Sequence, residues 1–328
     1  MTAQEPKKTL FLTGGSGFVG TTLIPLAVTK HNYTVRALSR SPSSDTKLIS
    51  LGAIPIRGDL TSHGLLREES RTADAVIHLA TAYEFGVHAS YDEVKDIDMH
   101  AVTAIFEGLG ASPTSTPFVI TSGTLIVLPD ASGNETDERA PLDPNPINSR
   151  GELEKYVLEK GAEEGTGVRA MSVRLAPYVY GHGGSGVRRW MEMAAMMGRV
   201  TSVGGGGNRI TTVHVEDAAE LYLLAAERGG AGEVYNASGE TGVTAKEMFG
   251  AVAEIMDVEV GDLSVTEAEE KLGVVVTRFL SVENRASGEK AKRELGWEVK
   301  GRGILEEIRK GSYKAVVEEV KKGMKTHA

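Results

Sequence analysis

Three glycines, Gly14, Gly17 and Gly20, recur at every third position within residues 9–20 of the sequence. Residues without a Cβ allow a tight turn, a main chain that can meet a pyrophosphate, and a helix packed close to its strand. The helix N-terminus adds free N–H groups and positive partial charge. The stretch therefore predicts a dinucleotide cradle, formed by Gly14, Gly15, Ser16, Gly17, Phe18, Val19 and Gly20.

A second informative position follows the next predicted strand, residues 33–38, where Ser39 and Arg40 stand. A dinucleotide fold that prefers NAD places Asp or Glu here to hold the ribose 2′-hydroxyl. A guanidinium instead matches a phosphate in charge and in forked geometry, so the sequence predicts NADP (NADPH) as the cofactor. A solvated surface arginine is the alternative interpretation.

Two further strand ends carry expected cofactor contacts. Asp59 and Leu60 follow the third predicted strand, where a carboxylate can accept the adenine amino group or, equally, cap a helix. Ala80 and Thr81 follow residues 75–79, a continuous apolar run of the kind that a parallel sheet buries on both faces. The ligand crevice of such a sheet opens at the carboxyl ends of its strands.

The elements that must position these residues alternate between strand and helix up to about residue 180. Helices are predicted over residues 18–31, 90–110 and 149–164, and further strands over 117–120 and 168–175. This alternation implies right-handed crossovers and an α/β fold with a doubly wound parallel sheet, the Rossmann architecture.

The remaining chain is less regular. It is predicted to supply more sheet material at residues 211–215 and 233–237, a helix over 216–228, and mostly helices after residue 240, the last over 303–321. We therefore expect two domains. They are an NADP-binding Rossmann domain over residues 1–182 plus 213–239, and a smaller, mainly helical substrate domain over 183–212 plus 240–328.

The bulk composition limits the partners. The chain has 328 residues, of which 41% are apolar and 25% charged, with a formal charge of −9. An acidic protein is a poor match for nucleic acid or an anionic membrane, so we expect neither. Because there is no cysteine, disulfides, thiolate nucleophiles and cysteine-based zinc sites are excluded, and we predict no metal site. No apolar run approaches the roughly 18 residues of a membrane span, and we expect a cytoplasmic location.

With these motifs in hand, the chain resembles the extended short-chain dehydrogenase/reductase superfamily, in its NAD-dependent epimerase/dehydratase group. The segments that carry the resemblance are residues 13–20, 58–60, 78–80, 121–123, 179–181, 213–217 and 295–297. The resemblance implies NAD(P) lying over the strand ends, and we add Pro177 and Val179 to the expected cofactor contacts. It also implies a structural role for His214 and Asp217, which pack the C-terminal domain onto the Rossmann core.

The chemistry implied by the resemblance uses a Tyr-x-x-x-Lys pair, in which the tyrosine protonates the substrate carbonyl oxygen and the lysine lowers the tyrosine pKa. Tyr156 and Lys160 match this spacing, but the register set by Arg150 and Glu154 puts the tyrosine about ten residues late, roughly 15 Å along the helix. In that register, Arg150 occupies the lysine position and Pro146 the tyrosine position. A packed helix tyrosine is the alternative for Tyr156.

The helper positions also depart from the family pattern. Asp98 stands at the helper asparagine position, and Gly123 stands at the Ser/Thr position. Arg150 remains charged, so it can hold the cofactor ribose or stabilise an oxyanion, but it cannot relay a proton. A purely structural pair of Arg150 with Glu154, one helical turn later, is the alternative.

Replacement groups must come from the crevice rim. By the resemblance, Tyr178 and Tyr83 lie where family substrates sit, either in catalytic contact or lining the pocket. His182 titrates near neutrality, which suits acid–base work, although a loop histidine is commonly solvated. Ser122 and Thr124 can each donate a hydrogen bond to a substrate oxygen.

The leading hypothesis is an NADPH-dependent oxidoreductase of the carbonyl reductase or alcohol dehydrogenase type, with a small organic substrate and a non-standard proton donor. Two alternatives stay open: a non-redox isomerase, dehydratase or cyclase, and a non-catalytic NADP-binding sensor. Many relatives form homodimers through the helices that correspond to residues 90–110 and 149–164. A homodimer is therefore an expectation here as well.

Exchanging Arg40 for aspartate tests the predicted cofactor preference. If Arg40 binds the 2′-phosphate, Arg40→Asp should weaken NADPH binding by at least the about 1.5–3 kcal/mol of a charge-assisted hydrogen bond. Binding of NADH should change little, because NADH lacks that phosphate. Fluorescence titration of the purified protein with each cofactor measures both affinities, and an equal loss for the two would contradict the assignment.

Overall fold

A seven-stranded parallel sheet forms the centre of the computed structural model, which describes residues 7–84, 87–88, 90–111, 115–163 and 167–325. From edge to edge its strands are β3 (Ile54–Arg57), β2 (Tyr33–Ser39), β1 (Lys8–Thr13), β4 (Ala75–His78), β5 (Thr116–Gly123), β6 (Val168–Leu175) and β10 (Val234–Ala237). The order reverses direction between β1 and β4, which is the topological switch point where doubly wound sheets bind ligands. The predicted Rossmann architecture is confirmed.

Helices cover both faces of this sheet. Those that pack on it are α1 (Phe18–Thr29), α2 (Pro42–Ser50), α3 (His63–Thr72), α4 (Lys95–Gly110), α5 (Arg150–Ala162), α7 (Val215–Arg228) and α11 (Glu289–Leu295). Because side chains alternate along a strand, Leu10 and Leu12 of β1 join the apolar cluster under α1 and α7, whereas Phe11 joins the cluster under α3, α4 and α5. All three side chains are fully buried.

A third apolar cluster lies in the C-terminal part of the chain. It is built by α6 (Ser185–Met197), α8 (Ala245–Met256), α9 (Val265–Leu272), α10 (Val274–Ser281), α12 (Ile304–Lys310) and α13 (Tyr313–Lys325). Two small parallel sheets accompany these helices: β7 (Tyr178–Tyr180) with β9 (Thr212–His214), and β8 (Arg199–Val203) with β11 (Glu259–Leu263). None of the helices in the described ranges combines the length and apolar character of a membrane span.

Several predicted elements need correction. The helix over 90–110 is a 3₁₀ turn, Tyr91–Glu93, followed by α4, because Val94 leaves helical geometry with φ of −121°. The helix over 303–321 is two helices, α12 and α13, because the Glu307 carboxylate accepts from the Ser312 N–H and hydroxyl and ends α12. The strand at 211–215 belongs to the small sheet with β7, not to the central sheet.

Other elements differ in extent or were not predicted. The helix over 149–164 is α5, which ends at Ala162, and residue 164 lies outside the described residues, as do residues 1–6. The sequence analysis assigned no helix to α2 or α3 and no strand to β8 or β11. The structural role expected for Asp217 is confirmed: its carboxylate accepts the N–H groups of Lys300 and Gly301 at 3.0 and 2.9 Å.

The contact between α1 and the glycine turn leads to a test with two helical glycines. A Cβ at Gly20 would lie 2.4 Å from the Gly14 carbonyl oxygen and 2.6 Å from the Gly15 Cα, whereas a Cβ at Gly250 in α8 would meet nothing within 4 Å. Gly20→Ala should lower the free energy of unfolding by about 1–3 kcal/mol. The control, Gly250→Ala, should raise it by about 0.5–1 kcal/mol. Urea unfolding measures both, and equal effects would contradict the packing argument.

Candidate active site

The glycine turn meets the backbone that follows β4. Gly14 has φ of +73°, and a Cβ there would lie 2.8 Å from the Ala80 nitrogen. Gly17 caps α1 without any side-chain hydrogen bond, and the first turn of α1 holds no acidic residue. Exposed Gly17 and half-buried Ser16 and Phe18 therefore form an open helix N-terminus. The cradle fits a pyrophosphate in shape and in partial charge.

The neighbouring residues of the cradle pack inward. Gly15 is buried, a Cβ there would lie 3.1 Å from the Ala37 Cβ, and Val19 packs against the apolar cluster on the same face. These two residues support the turn from below. On the outer side, a Cβ at Gly184 would lie 2.6 Å from the Phe18 ring, so the loop after β7 borders the cradle.

The end of β2 presents positive charge. Arg40 is exposed, and no group in the described ranges hydrogen-bonds its guanidinium. Ser39 is buried and donates its hydroxyl to the Ser41 carbonyl at 3.3 Å, while Ser41 caps α2. Lys47 on α2 donates to the Ser16 carbonyl of the cradle at 2.9 Å. Two cations, Arg40 and Lys47, therefore flank this end of the cradle.

Asp59 is engaged within its own turn. Its Oδ1 accepts the Thr61 N–H at 2.8 Å, the Thr61 hydroxyl at 2.7 Å and the Ser62 hydroxyl at 3.1 Å. These hydrogen bonds lower the pKa of Asp59. Ser62, not Asp59, occupies the N-cap position of α3, so the capping alternative for Asp59 is wrong. Leu60 is buried in the apolar cluster beneath α3 and α4.

The segment after β4 is tied to α4 through Asp98. The Asp98 carboxylate is 2% exposed and accepts from the Thr81 hydroxyl and the Ala82 N–H, both at 2.7 Å. The Thr81 hydroxyl oxygen in turn accepts the Tyr83 N–H at 3.1 Å. Asp98 therefore fixes Thr81, one of the two residues of this segment that are expected to meet the cofactor, together with the neighbouring Ala82.

Beside Asp98 lies a group of buried and half-buried polar side chains that we call the polar cluster: His78, Tyr91, Asp98 and Arg150. Burial and the nearby Arg150 charge lower the pKa of His78 to about 4, against the opposing effect of Asp98. Burial and the Asp98 charge raise the pKa of Tyr91. At neutral pH both side chains are therefore uncharged, while Asp98 and Arg150 supply the charges that act on them.

The His78 ring is held by the residue that precedes the glycine turn. The Thr13 hydroxyl oxygen accepts the Ala80 N–H at 3.3 Å and lies 2.8 Å from His78 Nδ1. His78 Nε2 and the Tyr91 hydroxyl are both buried, without a hydrogen-bond partner in the part of the chain that the structure describes.

Arg150 is the first residue of α5, and its guanidinium lies over the Tyr91 ring, 5.1 Å from the centroid. The alternative interpretation, a structural pair of Arg150 with Glu154, is wrong, because the buried Glu154 carboxylate binds Arg174 at 2.6 Å and the Ser172 hydroxyl at 2.7 Å on β6. Across the described ranges, nothing accepts a hydrogen bond from the Arg150 guanidinium. Its donors remain available for a ligand.

The candidate proton donors differ in what their hydroxyl groups contact. Thr124 donates its hydroxyl to the Asn284 side chain at 2.8 Å, so its proton is already engaged. The Ser122 hydroxyl and the Tyr178 hydroxyl are buried, and neither has a partner among the described atoms. Tyr178 packs its ring 5.4 Å from Phe279 of α10, and burial raises its pKa. Half-buried Pro177 and Val179 flank Tyr178.

The remaining two candidates lie at different places. Tyr83 is half-buried in the segment after β4, with its ring 6.1 Å from that of His88. His182 contacts Glu216 at 2.9 Å and lines a groove of about 1040 Å³ between α1 and α7, together with Thr21 and Glu220. Tyr83 is therefore linked to Asp98 of the polar cluster through hydrogen bonds of Thr81. His182 lies instead at the groove between α1 and α7.

The literal Tyr-x-x-x-Lys match has structural contacts. The Tyr156 hydroxyl lies 3.0 Å from that of Thr103 on α4, and its ring packs edge-on against Phe106. Lys160 pairs with Glu163 at 2.7 Å. These contacts agree with the packed helix tyrosine that the sequence analysis left as the alternative.

Sequence reasoning missed His78 and Tyr91. His78 was noted only as part of a motif, although a histidine in a fully buried strand is itself a signal, because buried histidine needs hydrogen-bond partners. Tyr91 stands in a segment predicted as plain helix, and no local pattern singles it out. The contacts of His78 with Thr13 and of Tyr91 with Arg150 identify these two residues only in the folded structure.

Residues 10–238 match the NAD dependent epimerase/dehydratase family. The chain belongs to this family. It is 33% identical to an uncharacterized protein of Saccharomyces cerevisiae over 305 residues, which covers 92% of this chain and 97% of the yeast protein. It is 28% identical to a 4-hydroxy-2-methyl-3-oxo-4-farnesyl-3,4-dihydroquinoline-1-oxide ketoreductase of Stigmatella aurantiaca, covering 88% and 91% of the two chains.

Among solved structures, the dTDP-glucose 4,6-dehydratase DesIV of Streptomyces venezuelae, with NAD and TYD bound, superimposes with a TM-score of 0.75. The alignment covers 97% of this chain and 98% of DesIV at 18% identity, so the likeness is one of fold. Members of the family bind nicotinamide cofactors, and relatives named as reductases support an oxidoreductase-type enzyme.

The buried neutral state of His78 predicts a pH dependence of stability. An unfolded histidine binds a proton near its ordinary pKa of about 6.5, whereas folded His78 does not until about pH 4, so acid favours the unfolded chain. Between pH 7 and pH 5 this one group should lower the free energy of unfolding by about 2 kcal/mol. His78→Gln should remove that part of the pH dependence, while the control His63→Gln, at a half-buried position, should retain it. Urea unfolding at the two pH values measures the difference, and an unchanged dependence in His78→Gln would contradict the assignment.

Proposed function

We propose that this protein is an NADPH-dependent oxidoreductase that reduces the carbonyl group of a small organic substrate. The arrangement that carries the proposal is the open cradle at Gly17 together with Arg150, whose guanidinium donors have no acceptor in the described ranges and whose charge acts on His78. A nicotinamide cofactor bound there supplies the hydride. Arg150, in place of the family's lysine, holds the cofactor ribose by hydrogen bonds.

The preference for NADPH is supported by the charge at the end of β2. Arg40 is exposed and unpaired with any described group, and the Lys47 ammonium lies against the cradle carbonyl of Ser16. The 2′-phosphate of NADPH brings negative charge to this position, where an NAD-preferring fold presents a carboxylate instead. The acid near these two cations, Asp45 of α2, is already paired with Arg57, so the position favours the phosphorylated cofactor.

Among the candidate donors we assign the proton to Tyr83. Its phenol is half-buried, has no partner in the described part of the chain, and follows Thr81, which Asp98 fixes in place. The Tyr178 hydroxyl is buried and its ring packs against Phe279, so we assign Tyr178 to the border of the substrate pocket and not to proton transfer. Ser122, once rotated about χ1, adds a hydrogen bond to the substrate oxygen.

The substrate class that we propose is a ketone with a large apolar part. Half-buried Phe279 and Val276 of α10 lie at the edge of the C-terminal apolar cluster, where the Phe279 ring packs on Tyr178. This edge offers dispersion contacts and few charges, which suits a lipophilic body more than a sugar. The farnesylated quinoline in the name of the Stigmatella ketoreductase agrees with such a substrate.

The test is NADPH oxidation with ketones that carry alkyl or terpenoid substituents. General acid catalysis typically contributes about 10²–10⁴ in rate, so Tyr83→Phe should lower kcat at least about 100-fold while NADPH affinity stays unchanged. The matched control, Tyr156→Phe, removes a phenol of the same size that contacts Thr103, and it should leave kcat unchanged. Absorbance of the reduced nicotinamide reports the rate.

Two results would contradict the proposal at different levels. Absence of NADPH oxidation with every ketone, despite tight NADPH binding, would overturn carbonyl reduction. Full activity in Tyr83→Phe together with a large loss in Ser122→Ala would overturn only the choice of proton donor.

A further inference from the structure

Arg150 holds an unusual position for a charged side chain. It is half-buried, and its guanidinium lies over the face of Tyr91 with no hydrogen-bond acceptor in the described ranges. Arginine side chains have many rotamers, so a free guanidinium loses substantial entropy when a ligand fixes it. A contact that restricts the Arg150 side-chain conformation before the ligand binds would reduce this entropy cost and raise the affinity.

The nearest acid does not supply that restriction. Asp98 acts on the polar cluster through its charge, but both of its oxygens already accept hydrogen bonds, from Thr81 and from Ala82. Glu154, one turn along α5, is bound to Arg174 and Ser172. The remaining contact on the guanidinium is the ring of Tyr91.

The turn that carries Tyr91 is itself fixed to the start of α5. The Asp92 carboxylate accepts the N–H of Ser149 at 3.3 Å as well as its hydroxyl, and Lys95 of α4 pairs with Glu152 of α5 at 2.8 Å. Tyr91 is 2% exposed. A rigid, buried aromatic face is thus held against the residue that begins α5.

We propose that Tyr91 is a positioning residue, whose ring face orients the Arg150 guanidinium toward the ribose hydroxyls of the cofactor. The inference rests on the proposed function, since it assumes that a nicotinamide cofactor occupies the cradle. Attraction of a cation to an aromatic face is stronger where the groups are desolvated, and here the Tyr91 ring is buried and Arg150 is half-buried. Tyr91 and Arg150, from two different elements, thereby divide the task of holding the ribose, which the family assigns to the lysine of a single helix.

The ring, and not the hydroxyl, carries this role. The Tyr91 hydroxyl is buried without a partner, and burial together with Asp98 raises its pKa. A phenol in that state stays protonated, and it lies near the Asp98 carboxylate without a hydrogen bond of normal geometry. Removing a buried, unpaired hydroxyl while keeping the ring should therefore cost nothing in stability or in binding.

The experiment measures NADPH and NADH affinity by fluorescence titration for Tyr91→Phe, Tyr91→Leu and Tyr91→Met, each also combined with Arg150→Met. We expect Tyr91→Phe to bind within about twofold of the wild type, and Tyr91→Leu and Tyr91→Met to bind about tenfold more weakly. In the Arg150→Met background, loss of the ring should have no further effect on affinity. Circular dichroism confirms folding, and Met replaces Leu as the informative variant if Leu does not fold.

Three outcomes would overturn the inference: wild-type affinity in both aliphatic variants, an equal loss in Tyr91→Phe, or an undiminished loss in the Arg150→Met background, which would indicate a merely structural role. Failure of the cofactor binding that the inference assumes is recognised separately, because the wild-type protein would then bind neither NADPH nor NADH, whereas failure of carbonyl reduction alone would leave these affinities measurable.

Discussion

The site depends on one close approach between two segments of backbone. The glycine turn after β1 lies so near the chain after β4 that a Cβ on Gly14 would come within 2.8 Å of the Ala80 nitrogen. Thr13, one residue earlier, joins the two segments through the Ala80 N–H and His78. Because of this contact, the cradle and the polar cluster are joined through Thr13 into one unit.

Charge in this unit is arranged by buried partners. The pair of Glu154 with Arg174 anchors α5 on β6 in the interior, whereas Arg150, one turn earlier, lies over the Tyr91 ring. Both carboxylate oxygens of Asp98 accept hydrogen bonds from the segment after β4. The two acids, Asp98 and Glu154, therefore have different partners in the structure. Removing either member of the Glu154–Arg174 pair would leave an uncompensated buried charge.

Much of the fold was predictable from the sequence, because parallel strands such as β4 are continuous apolar runs and the glycine spacing marks the first turn. Helix α2 escaped prediction because Leu48 is its only buried residue, so the apolar period is missing, although Ser41 and Pro42 form a cap signal. The single helix expected over 303–321 divides at Gly311 because the Glu307 carboxylate turns back on Ser312, a contact that no periodicity reveals.

By itself, the sequence determined the sheet, the glycine turn and the basic end of β2, since each depends on residues adjacent in the chain or on a fixed spacing. Only the tertiary structure decided the partners of the remaining polar groups. It assigned Glu154 to Arg174 instead of Arg150, engaged Thr124 with Asn284, and brought Tyr91 against Arg150 from an element 59 positions away in the printed numbering. The physical reason is that buried polar groups choose partners by distance in three dimensions, and local patterns carry no record of that choice.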